Sequence, residues 1–97
     1  MGVDLHVTIQ IDGMYEDGEY SADVCQMDVG RYYHWCNLTP DLLAHRYMGA
    51  FTFAQLQRRK DSPIFDASVK HTDLYLVMRA LARKYGKRHV TARWMAE

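Results

Sequence analysis

The chain reads as a single α+β domain, residues 1–97, in which a small antiparallel sheet (an N-terminal hairpin plus a C-terminal strand) carries about three helices on one face. Three observations predict this class. Val3, Leu5, Val7, Ile9 and Ile11 alternate with Asp4, His6, Thr8 and Gln10, a strict period of two that marks a strand with one buried face. Leu74, Val77, Met78, Leu81 and Tyr85 recur at spacings of three and four, the apolar stripe of an amphipathic helix. Val90, Ala92 and Trp94 then alternate with Thr91 and Arg93, a clear strand at the far end of the chain.

Each element follows from local chemistry. The first strand covers 3–11, and Asp12-Gly13 and Asp17-Gly18 are turn dipeptides that close a hairpin. The second strand covers 19–26, with Tyr20, Ala22 and Val24 as its apolar face, and Asp28-Val29-Gly30 is expected to break it. Arg31 to Leu38 is an aromatic-rich turn or short helix. Thr39-Pro40-Asp41 places an N-cap, a first-position proline and an acid in the first turn, which predicts a helix over 40–47 that fades near Gly49. Thr52 and Gln55 have the spacing of a capping box, so a further helix covers 53–59 and ends in Arg58-Arg59-Lys60. The third helix spans 68–85, with Arg83 and Lys84 suiting the dipole of its last turn and Gly86 at the left-handed position beyond it. A final strand covers 89–95. No repeat, low-complexity tract or linker interrupts this order.

Composition narrows the class further. Twelve Lys and Arg balance twelve Asp and Glu, so strong nonspecific attraction to nucleic acid is not expected. The balance is uneven along the chain. Residues 1–30 hold seven acids and no Lys or Arg, whereas 68–97 hold seven bases against Asp73 and Glu97. Such asymmetry favours attraction between the two ends or between two copies, and so a homodimer. No apolar run is long enough for a membrane span and no export signal precedes the first strand, which predicts a soluble protein of the cytoplasm, with Cys25 and Cys36 as reduced thiols.

Four groups of residues carry candidate chemistry. Asp4 and His6 share a strand face two residues apart, a carboxylate beside an imidazole that could orient a base or support a metal ligand, with His34 or His45 as further donors. No tight ligand cluster surrounds them, and His34-x-Cys36 lacks the second pair of a structural zinc motif, so neither metal nor cofactor is expected. Arg31, Tyr32, Tyr33 and Trp35 set a base among stacking aromatics, as nucleotide binders and protein hot spots do; the same bulk would also fill a small core. Asp12, Glu16, Asp17 and Glu19 string carboxylates along the hairpin, a pattern that imitates a phosphate backbone or simply protects a sheet edge. Arg79, Arg83, Lys84, Lys87, Arg88 and Arg93 form a basic C-terminal third, most of it suited to the solvated face of a helix. Walker, Rossmann, nucleophile-elbow and His-Glu-x-x-His motifs are absent from the sequence, which weighs against an enzyme.

The opening Met1-Gly2-x-Asp4-Leu5-His6 resembles uncharacterised small proteins of phages and prophages that begin Met-Gly-x-Asp-Ile-His. Gly30-Arg31-Tyr32-Tyr33-His34-Trp35, Phe51-Thr52-Phe53-Ala54-Gln55-Leu56, Tyr85-Gly86 and Val90-Thr91-Ala92-Arg93-Trp94 are similar to further short motifs of that family, in the same order. Val3 stands where a Cys is common and Gln55 where a Glu is common, and a Ser/His-rich approach to the Thr52-capped helix is missing, which counts against a catalytic centre there. The resemblance implies phage origin and one fold, and no activity. The combined expectation is a phage accessory protein that binds and inhibits a host protein, such as a CRISPR-type defence complex, in the host cytoplasm. A small-ligand binder for a signalling nucleotide is the alternative, and a metal-dependent enzyme at Asp4 and His6 ranks third.

Overall fold

A computed structural model describes residues 3–15, 18–32, 35, 40–43, 46–57 and 72–97. Strands β1 (Asp4–Tyr15) and β2 (Gly18–Arg31) form the N-terminal hairpin. The single helical turn α1 (Pro40–Leu43), strand β3 (Met48–Thr52), helix α2 (Phe53–Gln57), helix α3 (Asp73–Tyr85) and strand β4 (Val90–Ala96) follow in order. The four strands make one antiparallel sheet in the order β2-β1-β4-β3. The α+β class stands, with a larger sheet than expected, and among the described residues two helices exceed a single turn, where three helices were expected.

β1 begins as its alternation predicts. Leu5, Val7, Ile9 and Ile11 are all buried, and the intervening polar side chains face the other way. Asp12-Gly13 does not turn the chain. The Asp12 amide donates to the His89 carbonyl (2.8 Å), its carboxylate accepts from the Thr91 hydroxyl (3.0 Å), and Gly13 pairs with Tyr20, so the ladder runs on to Tyr15. The last pair of the hairpin is therefore Tyr15 with Gly18, beyond the first turn dipeptide.

β2 also outlasts its expected end. Two register shifts absorb the extra residues. One lies where Ile9 pairs with Cys25 and Gln10 with Asp23, leaving Val24 unpaired and 47% exposed. The other lies between Asp4↔Arg31 and His6↔Asp28, where Gly30 takes φ 98°, a conformation that glycine adopts without a Cβ penalty. After the first shift the inward face changes: Cys25, Met27 and Val29 pack against the core where Val24 was expected to.

Of the helix expected over 40–47, Pro40–Leu43 is helical and Arg46 and Tyr47 are not, and Met48–Thr52, where no element was expected, is β3. Its inward positions are Gly49 and Phe51, and only Phe51 is apolar, so no alternation is visible in the sequence. Gly49 lies over the buried indole of its cross-strand partner Trp94. The capping box forms as predicted: the Thr52 amide donates to Gln55 Oε1 (2.8 Å) and the Gln55 amide to Thr52 Oγ1 (3.2 Å). It opens α2, which buries Phe53 and Leu56. Thr72 caps α3 through the Tyr75 amide, and Gly86 closes it at φ 96° with its amide on the Ala82 carbonyl. The α3 face buries Leu74, Tyr75 and Met78, while Tyr85, expected in the stripe, is 38% exposed.

All elements share one core. The inward residues of β1 and β4 (Val90, Ala92, Trp94, Ala96) meet Phe51, Leu43, Phe53, Leu56 and the α3 face, and the Phe53 and Tyr75 rings lie 5.2 Å apart. The helices cover this face of the sheet, and no described segment covers the other. No helix among the described residues is long and apolar enough to cross a membrane.

A Cβ on Gly49 would stand 2.8 Å from Trp94 Cζ2, and the indole is too enclosed to swing away. Gly49→Ala is expected to lower stability by about 1–3 kcal/mol in urea denaturation, and by under about 1 kcal/mol in a Trp94→Phe background, where the bulk of the indole is gone. Equal losses in both backgrounds would show that the indole is not the constraint.

Candidate functional site

The open face of the sheet is the candidate site, and the strand register lays it out as three rows of four residues. The first row runs Asp28, His6, Met95, Met48 from β2 to β3; the second, Gln26, Thr8, Arg93, Ala50; the third, Asp23, Gln10, Thr91, Thr52. Together the first two rows and Asp23 floor a shallow groove of about 840 Å³. The chemistry changes across it. Carboxylates stand on the β2 side, apolar Met side chains on the β3 side, and a guanidinium rises between them.

Each polar side chain is held differently. His6 Nδ1 lies 4.0 Å from Asp28 Oδ2, so the partner of His6 is the carboxylate across the hairpin. Asp4, two residues along the strand, pairs instead at the β1 end, where its backbone exchanges hydrogen bonds with Glu97 (2.7 and 2.9 Å). Gln10 Nε2 donates to Asp23 Oδ1 at 2.6 Å, which ties the third row across the same two strands. Arg93 has no carboxylate within 4.0 Å among the described residues. Its cross-strand neighbours Thr8 and Ala50 are short, and Arg93 is exposed between them. Met48 is 65% and Met95 41% exposed, and they are direct cross-strand partners. Beside them Tyr47, 66% exposed, stacks on Tyr32 with ring centroids 6.3 Å apart. Exposed large apolar side chains gathered in one place mark a contact surface more than scattered ones do.

The residues singled out from sequence are dispersed by the fold. Tyr32 and Trp35 are buried, each 2% exposed. The Tyr32 hydroxyl donates to the Arg46 carbonyl and the Trp35 indole to the Val29 carbonyl (3.0 Å), so these aromatics fill and latch the core and offer almost no surface to a partner. Arg31 is exposed at the end of β2. Asp12 is committed to Thr91. Glu19 pairs with Met14 in the hairpin; Glu16, Asp17 and Tyr33 lie outside the described residues, as do His34, Cys36 and His45. Among the described residues no three His, Cys, Asp or Glu side chains gather as a metal site.

Asp23, Asp28, Met48, Met95 and the position of Arg93 were missed as a site. They become neighbours only through the β2-β1-β4-β3 pairing, and the period-two pattern of each strand is the one signal that could have grouped them. The exposed bases Arg79, Arg83 and Lys84 lie on α3, in the helical layer that packs on the opposite side of the sheet. Charge among the described residues is thus uneven between the layers: the sheet face carries Asp23 and Asp28 with Arg93 beside them and Arg31 at the end of β2, while Arg79, Arg83 and Lys84 lie on α3. Searches of protein-family models, curated proteins and solved structures found no match to this chain.

The burial of Tyr32 gives a direct check. Tyr32→Phe is expected to cost about 1 kcal/mol in chemical denaturation through loss of the bond to Arg46. An unchanged midpoint would place the hydroxyl in solvent and return Tyr32 to the surface.

Proposed function

We propose that the chain is a binding protein that docks the open face of its sheet on a basic surface of another protein, and that it acts as a phage-type accessory factor inhibiting a nucleic-acid-handling host protein in the host cytoplasm. The observation that carries the reading is the composition of one uncovered face: Asp23 and Asp28 on one side, exposed Met48 and Met95 on the other. A partner that normally grips nucleic acid presents Lys and Arg in a groove. Carboxylates on a stiff hairpin meet such bases with favourable long-range attraction and fast encounter. The Met pair supplies adaptable apolar contact beside them. The phage origin of the protein and the class of its target, for which a CRISPR-type complex is one case, rest on the resemblance of Met1 to His6 and the motifs that follow.

A second reading has its own observation. A guanidinium with no carboxylate partner among the described residues, on the floor of a groove of about 840 Å³, could hold an anionic small molecule such as a signalling nucleotide, in a volume within the usual range for ligand sites. Arg93 would then be its anchor, in place of Arg31 and the buried aromatics. An enzyme at Asp4 and His6 finds less support, since their side chains have no third donor beside them among the described residues.

Tagged protein used to capture partners from a bacterial lysate, followed by titration of the purified partner, tests the first reading. The double variant Asp23→Lys with Asp28→Lys is expected to weaken binding by about tenfold or more and to flatten its salt dependence. Affinity unchanged by both reversals would remove the acidic face as the contact. For the second reading, cyclic dinucleotides are expected to raise the melting temperature of the wild type and not of Arg93→Ala, since a ligand stabilises only the state it binds.

A further inference from the structure

We infer that strand β3 is a self-pairing edge, through which two copies of this chain join their sheets antiparallel across a two-fold axis at Ala50. The two edges of the sheet differ in kind. The β2 edge carries Asp23, Asp28 and Arg31 and is broken by two register shifts, features that discourage strand addition. The β3 edge, Met48-Gly49-Ala50-Phe51-Thr52, has no charge, no proline and no register shift.

Its backbone is also turned the right way. The Tyr47 carbonyl accepts from the Ala96 amide at 2.8 Å, so in the antiparallel alternation the amides of Met48 and Ala50 point away from β4. The Thr52 amide is already held by Gln55 Oε1 at 2.8 Å, which confines the free edge to the strand's first half and centre.

A second copy fits this edge better than a strand of arbitrary sequence. Around a two-fold axis each residue faces its own mirror position, so a charged edge repels itself and an uncharged one does not. With Ala50 on the axis, Met48 lies opposite Thr52 of the second copy, and on the helical side Gly49 lies opposite Phe51, a small residue beside a large one. A five-residue strand pair buries less than the roughly 1,200 Å² of a stable interface, and the adjoining Tyr47, Met48 and Met95 supply the added apolar area.

Charge attraction between the acidic and basic ends, which the sequence suggests as the cause of dimerisation, cannot close such a pair. The acidic face and the basic helices lie on opposite sides of the molecule, so their contact would be head-to-tail and would stack without end. Edge pairing closes at two and leaves both open faces on one side of a continuous sheet. It shares Met48 and Met95 with the proposed contact with a host protein but needs neither Asp23 nor Asp28, so the Ala50 variants test the edge and the Asp23 and Asp28 reversals test that contact.

Sedimentation equilibrium decides the matter. The wild type is expected to be dimeric at about 100 μM, with Ala50→Lys and Ala50→Pro each raising the dimer dissociation constant by about tenfold or more. Lys at this position opposes itself across the axis, and Pro removes an outward amide without breaking a bond of its own sheet. Asp23→Lys, on the opposite edge, should leave the dimer intact. Far-ultraviolet circular dichroism identifies any variant that has lost its fold, in which case the other Ala50 variant gives the answer. A monomeric wild type, or a dimer indifferent to a folded Ala50 variant, would overturn the assignment.

Discussion

Strand β4 is the member on which the rest of the sheet depends. It pairs with β1 on one side and β3 on the other, so the last strand of the chain joins the N-terminal hairpin to the short strand from its middle. Its register is strongly constrained. Ile9 faces Ala92 and Val7 faces Trp94, both pairs inward, and a slip of one residue would turn the apolar set of β4 to solvent. The termini are tied as well: the Asp4 and Glu97 backbones exchange two hydrogen bonds, and the Tyr32 amide donates to the Val3 carbonyl. Sheet closure at this end is therefore a long-range event, requiring the chain's beginning and end to meet.

From that register follows the placement of every polar group on the open face. Arg93 stands between Thr8 and Ala50 because the β1–β4 and β4–β3 pairings put it there, and the inward neighbour Trp94 comes to rest against Gly49 for the same reason. The core side is filled by large residues drawn from helices and strands together with Tyr32 and Trp35. The indole nitrogen of Trp94 is buried with no hydrogen-bond partner among the described residues. An unmet donor of this kind lowers stability, and the close packing of the ring against Gly49 and Tyr32 offsets it.

The long hairpin bears most of the acid and extends well beyond β4 toward its turn. Its two register shifts sharpen the local twist of β2 and reset which residues face inward, so that Cys25, Met27 and Val29 reach the core from a strand that began with the opposite phase. That change of phase also brings Asp28 beside His6 on the solvent face, where Asp23, ahead of the shift, already lies beside Gln10. The acidic character of the uncovered face is thus a product of irregular pairing as much as of composition.

Much of the architecture was legible in the residues. The alternations in β1 and β4, the stripe of α3, the Thr52–Gln55 box and the Gly86 stop are local signals, each complete within about a dozen residues, because they reflect backbone geometry and the two faces of one element. What lay beyond them needed contacts distant in sequence. β3 was invisible because the inward position opposite Trp94 is a glycine, whose role is to make room and not to be apolar. Asp12-Gly13 and Asp28-Val29-Gly30 have the chemistry of turns, yet pairing with neighbouring strands holds the first straight and absorbs the second as a bulge. The aromatics from Tyr32 to Trp35 could serve a core or a surface equally well by type, and burial under the sheet decided for Tyr32 and Trp35. The sequence by itself determined which faces of β1, β4 and α3 are apolar, where α2 begins and where α3 ends, whereas α3 starts at Asp73 behind its Thr72 cap and not at 68. Only the tertiary structure decided which polar residues stand together, since strand order and register are settled by packing across the whole chain and leave no mark in any short window of it.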